Sequence, residues 1–148
     1  MNNLKASPNA LDLIMDYEGF SATPYKHDND VWTIGYGHAI LKNEHFDEIT
    51  KEQGEQLLQK DILIAENCIN GAVKVPLTQN QFDALVSFVF NLGCGSFAGS
   101  TLLKLLNQKL YDEAAQQFLR WDRLKGQEIE GLDERREAEQ ALFLGEDT

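Results

Sequence analysis

From Glu18 to His38 the chain reads EGFSATPYKHDNDVWTIGYGH, the densest concentration of reactive side chains in the sequence. A glutamate ends an apolar segment, a polar loop carries His27, Asp28 and Asp30, and the run Thr33-Ile34-Gly35-Tyr36-Gly37-His38 follows. A glutamate followed closely by further acids is a candidate acid and base pair. Cleavage of a glycosidic bond uses such a pair: one group protonates the leaving oxygen, and the second activates water or attacks the sugar. The same pattern also suits exposed carboxylates and loop aspartates that only form turns.

The elements that must hold these groups follow from periodicity. Ser7-Pro8 reads as an N-cap followed by proline at the first helical position, where a missing N–H is tolerated. Ala10, Leu11, Leu13, Ile14 and Tyr17 recur at helical spacing, and Gly19 is a natural stop. A first helix is expected over 8–18, with Glu18 in its last turn. That end of a helix carries partial negative charge, which disfavours ionisation of a carboxylate, and a carboxyl kept protonated is what a general acid requires. From about 20 to 47, Pro24, Asn29 and the alternation around Val31-Trp32-Thr33-Ile34 predict a small antiparallel sheet. Gly35 and Gly37 mark tight bends or a close approach of backbone to a ligand.

Thr50 and Gln53 form a capping box for a helix over about 51–70, with Leu57, Leu58, Ile62, Ala65, Cys68 and Ile69 on one broad face. A second box, Thr78 with Gln81, opens FDALVSFVFNLG, whose apolar residues surround the axis and predict a buried central helix with Phe82, Phe88 and Phe90 in the core. Ser100 can cap a helix carrying Leu102, Leu103, Leu105 and Leu106, and Asp112 another, with Ala114, Ala115, Phe118 and Leu119 toward the core. A loop with Gly126 and Gly131 leads to a last helix over about 133–144. There Ala138, Ala141 and Leu142 should pack, while Glu134, Arg135, Arg136, Glu137 and Glu139 stay largely in water. Trp32 and Trp121 are expected to pack in the core or between lobes rather than to serve as sugar platforms.

At 148 residues the chain has the size of one ordinary domain with room for a substantial core. A formal charge of −11 argues against nucleic acid, whose phosphates need Lys and Arg, and against electrostatic steering toward any anionic polymer. No apolar run reaches a membrane span, so no membrane insertion is expected, and the start, MNNLKASPNALDL, lacks the basic flank and apolar block of a signal peptide. Synthesis in the cytoplasm is therefore expected. Cys68 and Cys94 read as small core residues rather than as a disulfide framework or a metal site.

Taken together, these motifs resemble the phage-type lysozymes, a family that includes the lambdoid phage endolysins. The likeness rests on Glu18-Gly19, Tyr25 and Trp32-Thr33-Ile34-Gly35-Tyr36-Gly37-His38. It continues through Phe90-Asn91-Leu92-Gly93 and Trp121, and ends in Arg135-Arg136-Glu137-Ala138-Glu139-Gln140-Ala141-Leu142-Phe143-Leu144. It implies an α+β, mainly helical, two-lobed lysozyme-like fold. A β-containing lobe would occupy about 19–50, a connecting helix about 51–70, and a helical lobe about 72–148, with helix 8–18 packing on the last. The implied activity is that of a muramidase without a cofactor or metal, cutting the β-1,4 bond between N-acetylmuramic acid and N-acetylglucosamine in the peptidoglycan glycan strand. A monomer is expected, released from the host cytoplasm by a holin or another route.

In that resemblance the family's acid matches Glu18 and its catalytic threonine matches Thr33. The family's aspartate, nine residues after the glutamate and six before the threonine, falls on His27, and Asp28 comes one place late. Three accounts are open. Asp28 turns inward and positions water with Thr33; His27 occupies the site and its neutral imidazole holds or deprotonates water; or the base is absent. The last gives either a sugar-binding protein or a lytic transglycosylase using Glu18 alone. Arg135 or Arg136 on the last helix could hold the carboxyl of Glu18, as an arginine of the matching helix does in the family. Asn91 could bind sugar or cap the central helix, and Tyr36 and His38 could line the cleft or fasten the sheet.

Overall fold

The computed structural model describes residues 2–26, 30–121, 123–124, 127–128 and 132–145. Helix α1 spans Pro8–Glu18, with proline at its start and Gly19, at φ +69°, at its end. Ser7 stands at the N-cap position, but its hydroxyl donates to Asp83 of a later helix instead of capping its own.

Strands β1 (Ser21–Lys26), β2 (Trp32–Gly35) and β3 (His38–Ala39) follow as an antiparallel sheet in the order β1-β2-β3. Tyr25 pairs with Thr33 and Lys26 with Trp32, while Thr33 pairs with Ala39 and Ile34 with His38. Side chains alternate across a strand, so Thr33 points to one face while Trp32 and Ile34 share the other. Ile34 is fully buried, whereas Trp32 is 53% exposed, which corrects its expected place in the core. Its ring is accompanied by the Lys26 ammonium, 5.6 Å from the ring centroid.

Helix α2 (Lys51–Ala72) runs two residues further than predicted and packs on β2. Its capping box forms in full, with Thr50 Oγ1 accepting from the Gln53 N–H at 3.1 Å and Gln53 Oε1 from the Thr50 N–H at 2.8 Å. Helix α3 (Gln79–Leu92) opens on the equivalent Thr78–Gln81 box and is buried continuously from Phe82 to Val89. It is the central helix: α1, α2 and a C-terminal helix all pack on it. Phe82 and Phe88 are fully buried, and Phe90 is only partly so.

The remaining helices are α4 (Cys94–Ala98), α5 (Thr101–Asn107), α6 (Tyr111–Gln117) and α7 (Leu132–Phe143), with a short 3-10 turn at Phe118–Arg120. Ser100 caps α5 as expected, accepting from the Leu103 N–H at 3.1 Å. Asp112 does not cap α6: the N-cap position belongs to Leu110, and Asp112 lies in the first turn, where its charge still favours the helix. The tightening into the 3-10 turn leaves Leu119 40% exposed, against the prediction that it faces the core. Strands β4 (Arg123–Leu124) and β5 (Gln127–Glu128) pair antiparallel where the sequence predicts a loop. Gly126 and Gly131 of that loop lie outside the described residues.

Cys68 of α2 and Cys94 of α4 are joined by a disulfide, with their Cα atoms 6.0 Å apart. This corrects their reading as separate core thiols. Each occupies a helical context that signals nothing by itself, and only the docking of α4 beside α2 brings them within bonding range. Trp121 does pack as expected, its ring edge-on to Phe88 at 5.8 Å between centroids.

Candidate active site

Gly19 ends α1 immediately after Glu18 and leaves the carboxyl side chain only 8% exposed. Glu18 Oε2 lies 2.8 Å from Arg135 Nη1, so of the two arginines considered from the sequence it is Arg135 that reaches it. Arg135 also donates from Nη2 to the Ser87 carbonyl at 3.2 Å and hydroxyl at 3.3 Å, and from Nε to Glu139 Oε2 at 3.3 Å. Arg136 donates from Nη2 to Asn91 Oδ1 at 2.9 Å and to Glu139 Oε2 at 3.2 Å, and its Nε lies 2.9 Å from Glu139 Oε1. The expectation that Arg135, Arg136 and Glu139 stay in water is overturned: they are 3%, 0% and 0% exposed. The face of α7 that carries them packs against α3, where burial is tolerable because each charge meets an opposite one.

Burial pushes the Glu139 carboxyl up, while the two guanidiniums and the Ser87 hydroxyl hold it down. Burial likewise lowers Arg136 to about 10, with attraction to Glu139 opposing the shift. That value still leaves the guanidinium charged at neutral pH.

The opposite wall comes from the sheet. Gly37, in the turn between β2 and β3, has φ +82°, and a Cβ there would sit 2.8 Å from Glu18 Oε1. A glycine was expected where backbone meets a ligand; here the backbone meets the candidate acid itself. Thr33 is 3% exposed, and its hydroxyl donates to the Val31 carbonyl at 2.9 Å. Glu18, Val31, Thr33, Gly37, Ala39, Phe90 and Asn91 line one cavity of about 160 Å³, ample for ordered water beside polar groups.

Asn91 therefore joins Glu18 and Thr33 at the cavity. It does not cap α3, whose C-cap is Gly93; its side chain accepts from Arg136. Tyr36 is absent from that lining and packs against Phe20, 5.3 Å between ring centroids, and over Gly54 of α2. His38 is buried at 6% exposure, with Nδ1 2.7 Å from Asp61 Oδ2 and Nε2 2.9 Å from Glu44 Oε1. It lines an adjoining, mostly apolar cavity with Asp61, Ile64 and Phe90. Tyr36 thus packs the sheet on α2, while His38 is held between Asp61 and Glu44 beside that second cavity. His27 and Asp28 lie outside the described residues, and Asp30 is an exposed bend residue at φ +64°.

Ser87 and Glu139 were not singled out as part of the site. Their signals are in the sequence: Ser87 interrupts the apolar run Ala84–Phe90, and Glu139 falls four residues after Arg135 and three after Arg136, on one helix face.

A glutamate ending one helix and clamped by an arginine of the last helix thus shares a cavity with a threonine of the small antiparallel sheet. The chain belongs to the phage lysozyme family, whose model matches residues 15–139. It is 45% identical to an endolysin of Acyrthosiphon pisum secondary endosymbiont phage 1, over 93% of this chain and 96% of that one. Among solved structures it resembles a mutant of P22 lysozyme (TM-score 0.83, 38% identity, covering 96% and 99% of the two chains). It also resembles the muramidase domain of SpmX from Asticaccaulis excentricus (TM-score 0.87, 37% identity, covering 96% and 99%).

Proposed function

We propose that this chain is an endolysin that hydrolyses the β-1,4 bond between N-acetylmuramic acid and N-acetylglucosamine in peptidoglycan. The observation that carries this reading is that the Glu18 carboxyl, held by Arg135 at 2.8 Å, and the Thr33 hydroxyl line the same cavity. The endolysin and muramidase names of its relatives support it. Glu18, protonated, donates to the glycosidic oxygen as that bond breaks. The Thr33 hydroxyl hydrogen is committed to Val31, so its oxygen accepts a hydrogen from water and orients it. Thr33 is then no base, and the water's other proton passes to Asp28 or His27. Attack from the face opposite the leaving group inverts the anomeric centre.

The enzyme is made in the cytoplasm and reaches the wall through a holin or another route. The Cys68–Cys94 bond suits that course, since disulfides persist outside reducing compartments. The test is Glu18→Gln with purified peptidoglycan: turnover should vanish while the fold is kept. Product mass then separates hydrolysis from lytic transglycosylase action by one water, and a wild-type chain that binds walls without turnover is a non-catalytic binder. Comparing Asp28→Asn with His27→Asn identifies the base, because whichever leaves the rate untouched is not needed.

A further inference from the structure

We propose that Glu139 is a positioning residue for both ends of the catalytic cavity, acting through two arginines that reach two different cavity-lining groups. The inference rests on the reading of Glu18 as proton donor. Glu139 is fully buried and is not among the residues that line the cavity. Its Oε2 accepts from Ser87 Oγ at 2.5 Å, from Arg135 Nε at 3.3 Å and from Arg136 Nη2 at 3.2 Å. Arg135 goes on to Glu18 at 2.8 Å, and Arg136 goes on to Asn91 at 2.9 Å. One carboxylate thus sets the direction of both guanidinium forks, and each fork sets one group facing substrate.

The chemistry of the two branches differs. Arg135 fixes where the Glu18 oxygens point and so acts on proton donation. Arg136 occupies Asn91 Oδ1, which assigns the amide its orientation and leaves the amide nitrogen to act as a donor toward the acceptors of a bound sugar. A buried network of charges is a poor way to gain stability, because desolvation takes back most of what attraction provides and apolar packing does as well. A network whose two outer ends both open on one cavity has its purpose there, in fixing geometry that an apolar core could not.

The experiment uses the full chain and a soluble muropeptide tetrasaccharide, with kcat and KM measured per folded molecule well below each variant's melting temperature. Glu139→Gln keeps the volume, one acceptor and the packing while removing the charge. It should lower kcat on the order of tenfold or more and also raise KM. Arg136→Met should raise KM with little change in kcat. In the Arg136→Met background, adding Glu139→Gln should change kcat but no longer KM. Restoring a carboxylate as Glu139→Asp should recover part of kcat. A Glu139→Gln variant with both constants unchanged overturns the proposal, as does one whose only change is a lower melting temperature. So does a KM effect that persists in the Arg136→Met background. Glu18→Gln runs beside them: if it retains turnover, the reading of Glu18 fails, whereas a dead Glu18→Gln beside a normal Glu139→Gln overturns this inference alone.

Discussion

Glu18 is held from two directions, by an arginine far along the chain and by a backbone with no side chain to spare. At Gly37 any Cβ meets the Glu18 carboxyl at under 3 Å and must also take φ +82°. Gly37→Ala should therefore cost about 1–3 kcal/mol in urea unfolding and reduce wall-clearing activity by on the order of a hundredfold, more than its stability loss explains; full activity would contradict this packing. His38 provides a second prediction. The hydrogen bond to Asp61 raises its pKa above the ordinary 6.5, with burial opposing and Glu44 assisting. The Leu41 N–H and then His38 lower Glu44 from 4.5, against burial. A raised folded value means that the stability from His38 is fully present below about pH 6.5 and is lost as pH rises through the folded pKa. The stability from Glu44 is present above about pH 4.5 and is lost as pH falls through its lowered value. The melting-temperature advantage of the wild type over His38→Gln should then be greatest between about pH 4.5 and 6.5 and shrink toward alkaline pH. A difference that does not vary with pH would contradict the buried ion pair.

Helix α1 carries the candidate acid, and both its ends are tied to partners distant in sequence. At its start, the Ser7 N–H donates to Asp83 Oδ1 at 2.9 Å, the Ser7 hydroxyl to Asp83 Oδ2, and Gln79 Nε2 also to Oδ1 at 2.8 Å. At its end stands the Glu18–Arg135 pair. Asp83 is fully buried, so Asp83→Ala should lose charge-assisted bonds and strand their donors, at about 2–3 kcal/mol in urea unfolding. A loss below about 0.5 kcal/mol would show that water replaces those bonds. What could be read at this scale was what is local. The boxes at Thr50 and Thr78 form because cap and partner are three residues apart. The Ser7 and Asp112 caps failed because a buried carboxylate on α3 took the Ser7 hydroxyl and α6 begins two residues early, with Leu110 at its N-cap.

Across the whole molecule, the disulfide ties the helix that packs on the sheet to the C-terminal helices, closing a loop of sequence separation 26. A closure of that length should stabilise by about 3.5 kcal/mol. The Cys68→Ala/Cys94→Ala double variant should lose that amount in chemical denaturation and become insensitive to dithiothreitol, while the wild type moves to the same midpoint when reduced. Equal stability of the oxidised and reduced wild type would contradict it.

Sequence by itself determined the helix periods, two capping boxes, the hairpin around Thr33 and the candidacy of Glu18, because each depends on residues a few places apart. Its motif also carried the family. Tertiary structure decided what depends on distant partners: that Arg135 and not Arg136 reaches Glu18, that Arg136 turns to Asn91, and that two cysteines bond. It also decided that a strand tryptophan faces outward and a charged stretch of α7 lies inside. Charged residues at helical spacing read as a wet face until another helix covers them and opposite charges meet beneath it. For Glu139, α3 supplies that cover, and burial turns an ordinary surface pattern into the support beneath the candidate acid.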